Sequence, residues 1–209
     1  MAQVPAGTNH KLKHCRRQGQ WARYSWVKAA GVASAMLVMS FASACHGEPG
    51  TPPPNGLGFT LTTSAFRSGD AIPVKFTCQG QNSSPALRWT EPPAGTKSFA
   101  LIVDDPDAPG GTWVHWVVFD LPATARQLPE AVAKVAEIQA GGKQGSNDFP
   151  EVGYGGPCPP SGKPHRYFFK IYALNTLLGL RPGATKRDVE RAMQGHILAQ
   201  AQLVGLFGR

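Results

Sequence analysis

The chain has 209 residues, of which 42% are apolar, and it contains 24 Gly, 19 Pro, 21 basic and 13 acidic residues. This length suits one sizeable domain, and the high Gly and Pro content favours short strands and loops over long helices. The formal charge of +8 does not indicate nucleic-acid binding: removing the six basic residues of the acid-free segment 1–44 leaves 15 basic against 13 acidic residues, too even a balance to neutralise a phosphate backbone.

Residues 1–44 have the pattern of a secretory signal peptide. A long basic region precedes the uncharged run Ala29–Ala44, which ends in small residues before Cys45, and this order is typical of an export signal. The run is shorter than the roughly 20 residues that a membrane-spanning helix needs. Cys45 resembles the lipidation site of a lipoprotein, and ordinary cleavage after Ala44 is the alternative. We therefore predict export to the periplasm, with a membrane anchor if Cys45 carries lipid.

The Pro- and Gly-rich residues 45–56 predict a stiff tether, so the folded domain spans residues 57–209. Within it, short runs of apolar, β-branched and aromatic residues predict strands. The stretch Ala140–Gly153 contains four Gly, which indicates a long loop. The predicted strands are Phe59–Thr63, Ile72–Thr77, the fully buried Ser98–Val103, Thr112–Leu121, an edge strand at Val132–Ile138, and Arg166–Leu174.

One helix is predicted near the C-terminus. Thr185, with Asp188 three residues later, is typical of a capping box. Apolar residues then recur at helical spacing at Val189, Ala192, Met193, Ile197, Ala201 and Val204. The expected fold class is mainly β (α+β), a largely antiparallel β-sheet domain with a few peripheral helices.

Two cysteines, Cys78 and Cys158, remain in the domain, since Cys15 lies in the leader and Cys45 is the candidate lipid site. In an oxidising compartment the two could form a disulfide. Two separate buried thiols are the alternative, and a mass shift on reduction and alkylation would distinguish them.

The segment Asp104–His115 carries the first set of chemically active side chains. Asp104, Asp105 and Asp107 end an apolar strand, where three carboxylates are electrostatically costly unless something uses them. If this strand pairs with the next, we expect His115 beside Asp105 or Asp107. A carboxylate there would raise the pKa of the imidazole and favour the cation, which suits an anion ligand.

The segment Gly153–Tyr167 carries the second set. Its Gly and Pro residues are typical of a shaped loop whose backbone N–H groups can bind phosphate. His165 and Tyr167 lie two apart in a predicted strand and therefore point to one face, while Arg166 points away. Plain alternatives exist for each feature: Asp-Pro-Asp is commonly a turn, and a strand His is commonly a core residue.

Together these segments resemble the phosphatidylethanolamine-binding proteins, also called Raf kinase inhibitor-like proteins, and most closely their bacterial branch. The resemblance rests on Asp-Pro-Asp-Ala-Pro at 105–109, Trp-Val-His-Trp at 113–116, Gly-Tyr-Gly-Gly-Pro-Cys-Pro-Pro at 153–160 and Pro-His-Arg-Tyr at 164–167. Matching segments at 76–80, 84–87, 93–98 and 195–201 extend it across residues 57–209.

The resemblance implies a large antiparallel sheet, a smaller second sheet, peripheral helices and a pocket for an anion. Family members bind phosphate-like or carboxylate groups, including the phosphoethanolamine head group of a phospholipid, or inhibit kinases or proteases. The resemblance thus implies a binding protein rather than an enzyme, with no cofactor and no metal. Mapped by motif, the ligand-binding residues are Asp105, Asp107, Pro109, His115, Gly156, His165 and Tyr167.

Two other functions stay open at this stage. A hydrolase or metal-dependent enzyme could use the two His and two Asp as metal ligands or as acid and base. Residues 57–209 lack a His-x-x-x-His or Gly-x-Ser-x-Gly signature and an obvious nucleophile, which disfavours an enzyme. A protein-interaction module is the other alternative, although no partner surface is evident in the sequence.

Overall fold

The structure, a computed structural model, describes residues 58–209. The predicted leader, Cys45 and the tether lie outside the described residues. No helix among residues 58–209 is long and apolar enough to cross a membrane. The regular elements in chain order are β1 (Leu61–Thr62), β2 (Leu87–Trp89), β3 (Ser98–Asp105), β4 (Trp113–Pro122), β5 (Gln127–Leu128), β6 (Lys143–Gln144), β7 (His165–Leu174), α1 (Lys186–Met193) and β8 (Ile197–Phe207).

These strands form two antiparallel sheets. The larger sheet has the order β6-β4-β3-β7-β8, and the smaller has the order β1-β2-β5. The predicted fold class is confirmed: a large antiparallel sheet, a second smaller one, and few helices.

The central strand β3 explains the layering of the domain. All eight of its residues are buried, because both faces of the large sheet are covered. Phe99 and Leu101 belong to the main core, whereas Ala100 and Ile102 pack in a second core with Val189 and its neighbours from α1. This two-sided burial is the physical reason for a continuous rather than alternating apolar run.

The strand register brings the two motif segments to one end of the large sheet. β3 pairs with β4 so that Asp105 lies opposite Trp113, and β3 pairs with β7 so that Asp104 lies opposite Phe168. Since β7 begins at His165, the end of β3 and the starts of β4 and β7 meet there. The loops that follow and precede these strands close over the same end.

The predicted strand at Ile72–Thr77 is wrong. The chain instead forms a 3₁₀-helix at Val74–Phe76, entered through Pro73. Proline has no backbone N–H to donate to a sheet ladder, and the Thr77 side chain donates to the Val74 carbonyl at 2.9 Å, which stabilises the turn. The short strands β2, β5 and β6 were not predicted, because two or three residues show no periodicity.

The predicted edge strand at Val132–Ile138 is also wrong. The carbonyls of Ala133 and Val135 accept hydrogen bonds from the buried Gln144 amide, each at 2.7 Å. A side chain thus satisfies backbone groups that a neighbouring strand would otherwise pair. Only Glu137 in this stretch makes an isolated bridge, with Lys143.

The predicted helix is right at its start and wrong at its end. Thr185 and Asp188 form the capping box, but α1 stops at Met193. Gly195 then has φ of 76°, in the left-handed region that glycine adopts without strain. From Ile197 onward the chain pairs with β7 over ten residue pairs, so the helical spacing up to Val204 did not mark a helix.

Candidate functional site

A cavity of about 170 Å³ opens at the end of the large sheet where the two motif segments meet. It is several times larger than one water molecule, ~30 Å³. Four polar side chains, those of Asp105, His115, His165 and Tyr167, stand in an otherwise mainly apolar wall, an arrangement that is typical of small-molecule sites. The lining residues are Asp105, Ala108, Pro109, Trp113, His115, Phe149, Cys158, Pro159, Pro160, His165 and Tyr167.

Asp105 organises the polar side of the cavity. It is 3% exposed, and its Oδ1 accepts the Asp107 backbone N–H at 2.8 Å. Its Oδ2 lies 2.7 Å from Nδ1 of His165. A carboxylate at neutral pH only accepts hydrogen bonds, so Nδ1 of His165 carries a hydrogen. The Asp-Pro-Asp motif is therefore a turn, as its plain reading has it, and that turn also holds a histidine.

His115 is held differently from the expectation. Its Nδ1 lies 2.7 Å from the Gly155 carbonyl oxygen, and its ring meets Tyr167 and Phe149 edge-on, with centroids 5.1 and 5.4 Å away. Burial lowers the pKa of His115, outweighing the Gly155 carbonyl and the Asp105 charge, which act to raise it. The expected rise in the pKa of His115 is thus wrong, because burial outweighs the charge of Asp105, whose carboxylate is hydrogen-bonded to His165 and not to His115.

Tyr167 brings a buried hydroxyl to the same cavity. The residue is fully buried, and among the described residues its Oη has no hydrogen-bond partner. Burial, followed by the charge and the hydrogen-bonding effect of the nearby Asp105 carboxylate, raises the pKa of Tyr167, although the contact with Asp105 does not reach hydrogen-bond geometry. The phenol therefore stays protonated and can donate. A buried hydroxyl without a partner is costly unless a ligand or water takes up the bond.

Asp107 faces outward and braces the loop from outside the cavity. Arg166 binds it through Nε at 2.8 Å, through Nη2 at 2.6 Å and through its backbone N–H at 2.9 Å. These hydrogen bonds lower the pKa of Asp107 to about 2. Arg166 thus points away from His165 and Tyr167, as strand alternation predicts, and Asp107 does not line the cavity.

Gly156 also stands behind the cavity wall, whereas Pro109 lines it. The Gly156 N–H donates to Asn82 Oδ1 at 2.6 Å. A Cβ on Gly156 would lie 2.5 Å from the Phe76 carbonyl oxygen and 2.7 Å from Asn82 Oδ1, so only glycine permits this close approach. Gly156 therefore positions the loop and does not face the cavity.

Cys78 and Cys158 form a disulfide, with Cα atoms 5.4 Å apart. Of the two alternatives left open by the sequence, the structure has the paired one. The Cys78 N–H also donates to the Pro157 carbonyl at 3.1 Å. Since Cys158 lines the cavity, the disulfide ties one of its walls to the loop after Phe76.

The apolar wall contains residues that sequence reasoning did not assign to the site. Trp113, which is 39% exposed, packs edge-on against Phe149 with centroids 5.5 Å apart. Pro159 and Pro160 also line the cavity. Trp113, Pro159 and Pro160 lie inside the family motifs, so the sequence could have assigned them to the site. Phe149 gave none, because it lies in an irregular loop without periodicity.

Metal-ligating side chains are sparse in the described residues. Across 58–209, no group of three or more His, Cys, Asp and Glu side chains is arranged to hold a metal ion. One ring nitrogen of each cavity histidine is not available to a metal, because the Nδ1 atoms of His115 and His165 are hydrogen-bonded to Gly155 and Asp105.

Comparisons with known proteins agree with the fold and the motifs. A family model described as phosphatidylethanolamine-binding protein matches residues 62–208. UPF0098 proteins from Aquifex aeolicus and Methanothermobacter thermautotrophicus are 56% and 51% identical over 147 and 149 residues. These matches cover 69% and 71% of this chain and 85% and 98% of the relatives.

Two crystal structures are also similar. E. coli YbcL, described as a new member of the mammalian family of these proteins, matches with a TM-score of 0.68 and 36% identity, covering 72% of this chain and 98% of YbcL. A homolog from Chlamydia trachomatis matches with a TM-score of 0.66 and 41% identity, covering 73% of this chain and 98% of that one.

Proposed function

This chain belongs to the phosphatidylethanolamine-binding protein family, and on that premise we propose that its cavity binds the phosphate or carboxylate group of a small molecule or phospholipid head group. The observation that carries the proposal is the buried Tyr167 hydroxyl, which lacks a partner among the described residues. Its neighbours His115 and His165 line the same cavity. A ligand oxygen there would accept the hydrogen bond that Tyr167 otherwise leaves unmade.

The shape of the cavity supports a ligand with two chemically different ends. Asp105, His115 and His165 provide the polar groups, while Trp113 and Phe149 belong to an apolar wall. The polar groups would orient the anionic end, and the aromatic and proline side chains would cover an attached apolar or neutral portion. A head group joined to a glycerol or acyl part has this composition.

Nuclear magnetic resonance of the histidine side chains tests the proposal directly. Inorganic phosphate and phosphoethanolamine are titrated separately into the purified protein to millimolar concentration. We expect the ring signals of His115 and His165 to shift. His196, which is exposed and hydrogen-bonded to Asn175 at 2.8 Å, is the internal control and should not move. The absence of any response from both cavity histidines would rule the proposal out.

We further propose that the protein acts outside the cytoplasm as a lipoprotein anchored through Cys45. The support is the sequence of the leader, with its basic region, uncharged run and small residues before Cys45. Labelling of cells with radioactive palmitate should mark the wild-type protein and leave Cys45→Ser unlabelled. Equal labelling of both would exclude Cys45 as the lipid site.

We also propose that the cavity takes part in controlling a partner enzyme. The support is the family relationship, in which inhibition of enzymes is one described activity, and none of the names of the relatives states a catalytic function. A pull-down from envelope extract with wild type, His115→Ala and His165→Ala would test it. Equal recovery of a specific partner by all three would exclude a role for the cavity.

A further inference from the structure

The cavity presents fewer hydrogen-bond donors than its residue types suggest. The Gly155 carbonyl and the Asp105 carboxylate are both acceptors, and each lies 2.7 Å from a histidine Nδ1. Both Nδ1 atoms therefore carry their hydrogens and direct them at the protein. In a neutral ring, the remaining nitrogen, Nε2, is then an acceptor. An unprotonated His115 consequently offers a lone pair, and not a donor, to any oxyanion.

His115 is held in that neutral form by its surroundings. Burial lowers its pKa, against the opposing effects of the Gly155 and Gly156 carbonyls and the Asp105 and Asp104 charges. Among the described residues the ring makes one hydrogen bond, to Gly155. At neutral pH, the free cavity thus combines a carboxylate with a neutral imidazole, which is a poor electrostatic match for a doubly charged anion.

The other charged and titratable groups around His115 do not remedy this mismatch. From β3, Asp105 lines the cavity, and Asp104, whose charge also acts on His115, is paired with Lys170 and Lys186. From β7, His165 is bonded to Asp105 and Tyr167 is a neutral phenol. The lining residues of the loop walls, including Phe149, are uncharged. Near the C-terminus, Arg209 places a positive charge that acts on Tyr167, and its Nε donates to the Pro159 carbonyl at 2.6 Å. Arg209 does not line the cavity and is not among the groups that shift the pKa of His115.

We propose that an oxyanion enters this cavity together with one proton, which His115 takes up on Nε2. The inference rests on the proposed function, namely that an oxyanion binds in this cavity. Proton uptake converts Nε2 from acceptor to donor, so that His115 and the Tyr167 hydroxyl both donate to the ligand. It also adds a positive charge that offsets the carboxylate of Asp105. Binding is then stronger in mild acid, and a rise in pH releases the ligand.

The pH titration of His115 with and without phosphate tests the inference. Ring signals are followed from pH 5 to pH 8 in phosphate-free buffer and with saturating inorganic phosphate. We expect the midpoint of His115 to rise by about one pH unit or more with phosphate. By linkage, each pH unit by which phosphate raises this midpoint corresponds to about a tenfold gain in phosphate affinity on going from neutral to acidic pH. The ring signals of His196 should be the same with and without phosphate.

Calorimetry supplies a second readout that needs no variant. Binding of phosphate is measured in two buffers of different ionisation enthalpy, and the difference gives the number of protons taken up. Sulfate, which does not titrate in this range, is measured beside it, so that any pH dependence of its binding belongs to the protein. Phosphoethanolamine, as the third ligand, distinguishes a head group from free phosphate by relative affinity.

The outcomes separate this inference from the proposed function. If His115 has the same midpoint with and without phosphate, and no proton is taken up, the anion binds without proton linkage and the inference is overturned. If no cavity histidine responds to phosphate at any pH, the proposed function is wrong, and the inference that rests on it falls with it. His115→Gln, which cannot titrate, should bind more weakly and lose the pH dependence, whereas His196→Gln should retain the wild-type affinity and pH profile.

Discussion

At the scale of single residues, two buried tyrosines differ in how their hydroxyls are used. The Tyr154 hydroxyl donates to the Phe76 carbonyl at 2.8 Å, whereas the Tyr167 hydroxyl has no partner among the described residues. Both residues are almost completely buried. One hydroxyl therefore serves the fold, and the other is available to a ligand.

Tyr167→Phe should weaken phosphate binding about tenfold, the effect of losing one hydrogen bond. Its free energy of unfolding without phosphate should stay within about 1 kcal/mol of wild type, because no group among residues 58–209 is hydrogen-bonded to the hydroxyl removed. Urea unfolding in phosphate-free buffer and calorimetric titration measure the two quantities.

Tyr154→Phe is the matched control, because it removes the same atom from a bonded position. It should lower the free energy of unfolding by about 1 to 2 kcal/mol, since the Phe76 carbonyl loses its buried donor. Phosphate affinity should be unchanged. The interpretation of Tyr167 is wrong if both variants alter stability and affinity to the same extent.

At the scale of elements, the buried Asp104 joins two strands and the helix. It is 1% exposed, and Lys170 of β7 reaches its carboxylate at 2.8 and 3.0 Å. Lys186, the first residue of α1, contacts the same carboxylate at 2.9 Å. α1 is thus fixed to the large sheet by an ion pair as well as by the apolar contacts of Val189 and Met193.

Asp104→Ala should lower the free energy of unfolding by about 2 to 3 kcal/mol. Removing one member of a fully buried ion pair lowers the free energy of unfolding by more than this. The loss is smaller here because Lys170 and Lys186 are partly exposed, so water can solvate their charges once Asp104 is removed. The exposed pair of Lys134 and Glu151, with N–O distance 2.8 Å, provides the comparison: Glu151→Ala should cost less than about 1 kcal/mol. Equal losses in urea unfolding would show that burial of Asp104 adds nothing.

At the scale of the whole domain, the disulfide between Cys78 and Cys158 closes a loop with a sequence separation of 80 residues. A cross-link that closes so long a loop removes much conformational entropy from the unfolded chain. The double variant Cys78→Ser with Cys158→Ser should therefore lose about 3 to 5 kcal/mol of unfolding free energy, measured by urea unfolding.

Reduction of the wild-type protein is the control for this prediction. Unfolding in the presence of a phosphine reductant should move the wild-type midpoint close to that of the double variant and leave the double variant unchanged. A wild-type midpoint that does not respond to the reductant, while the thiols become accessible to alkylation, would contradict the stabilising role of the disulfide.

Local patterns determined a large part of this protein. The apolar runs predicted β3, β4 and β7, the Thr185–Asp188 pair predicted the start of α1, and the ordered motifs identified the family. Strand alternation also placed His165 and Tyr167 together and Arg166 apart. These features depend on neighbours within a few residues, which is why they can be read from sequence.

Only the tertiary structure decided the remaining features. Residues after Gly195 form a strand and not a helix, because pairing with β7 outweighs a spacing that fits either element. Asp105 pairs with His165 rather than with His115, and this depends on the register between β3 and β7. The neutral state of His115 depends on its burial beneath Phe149 and Tyr167. Strand register and desolvation arise from contacts between distant parts of the chain, so no local pattern specifies them.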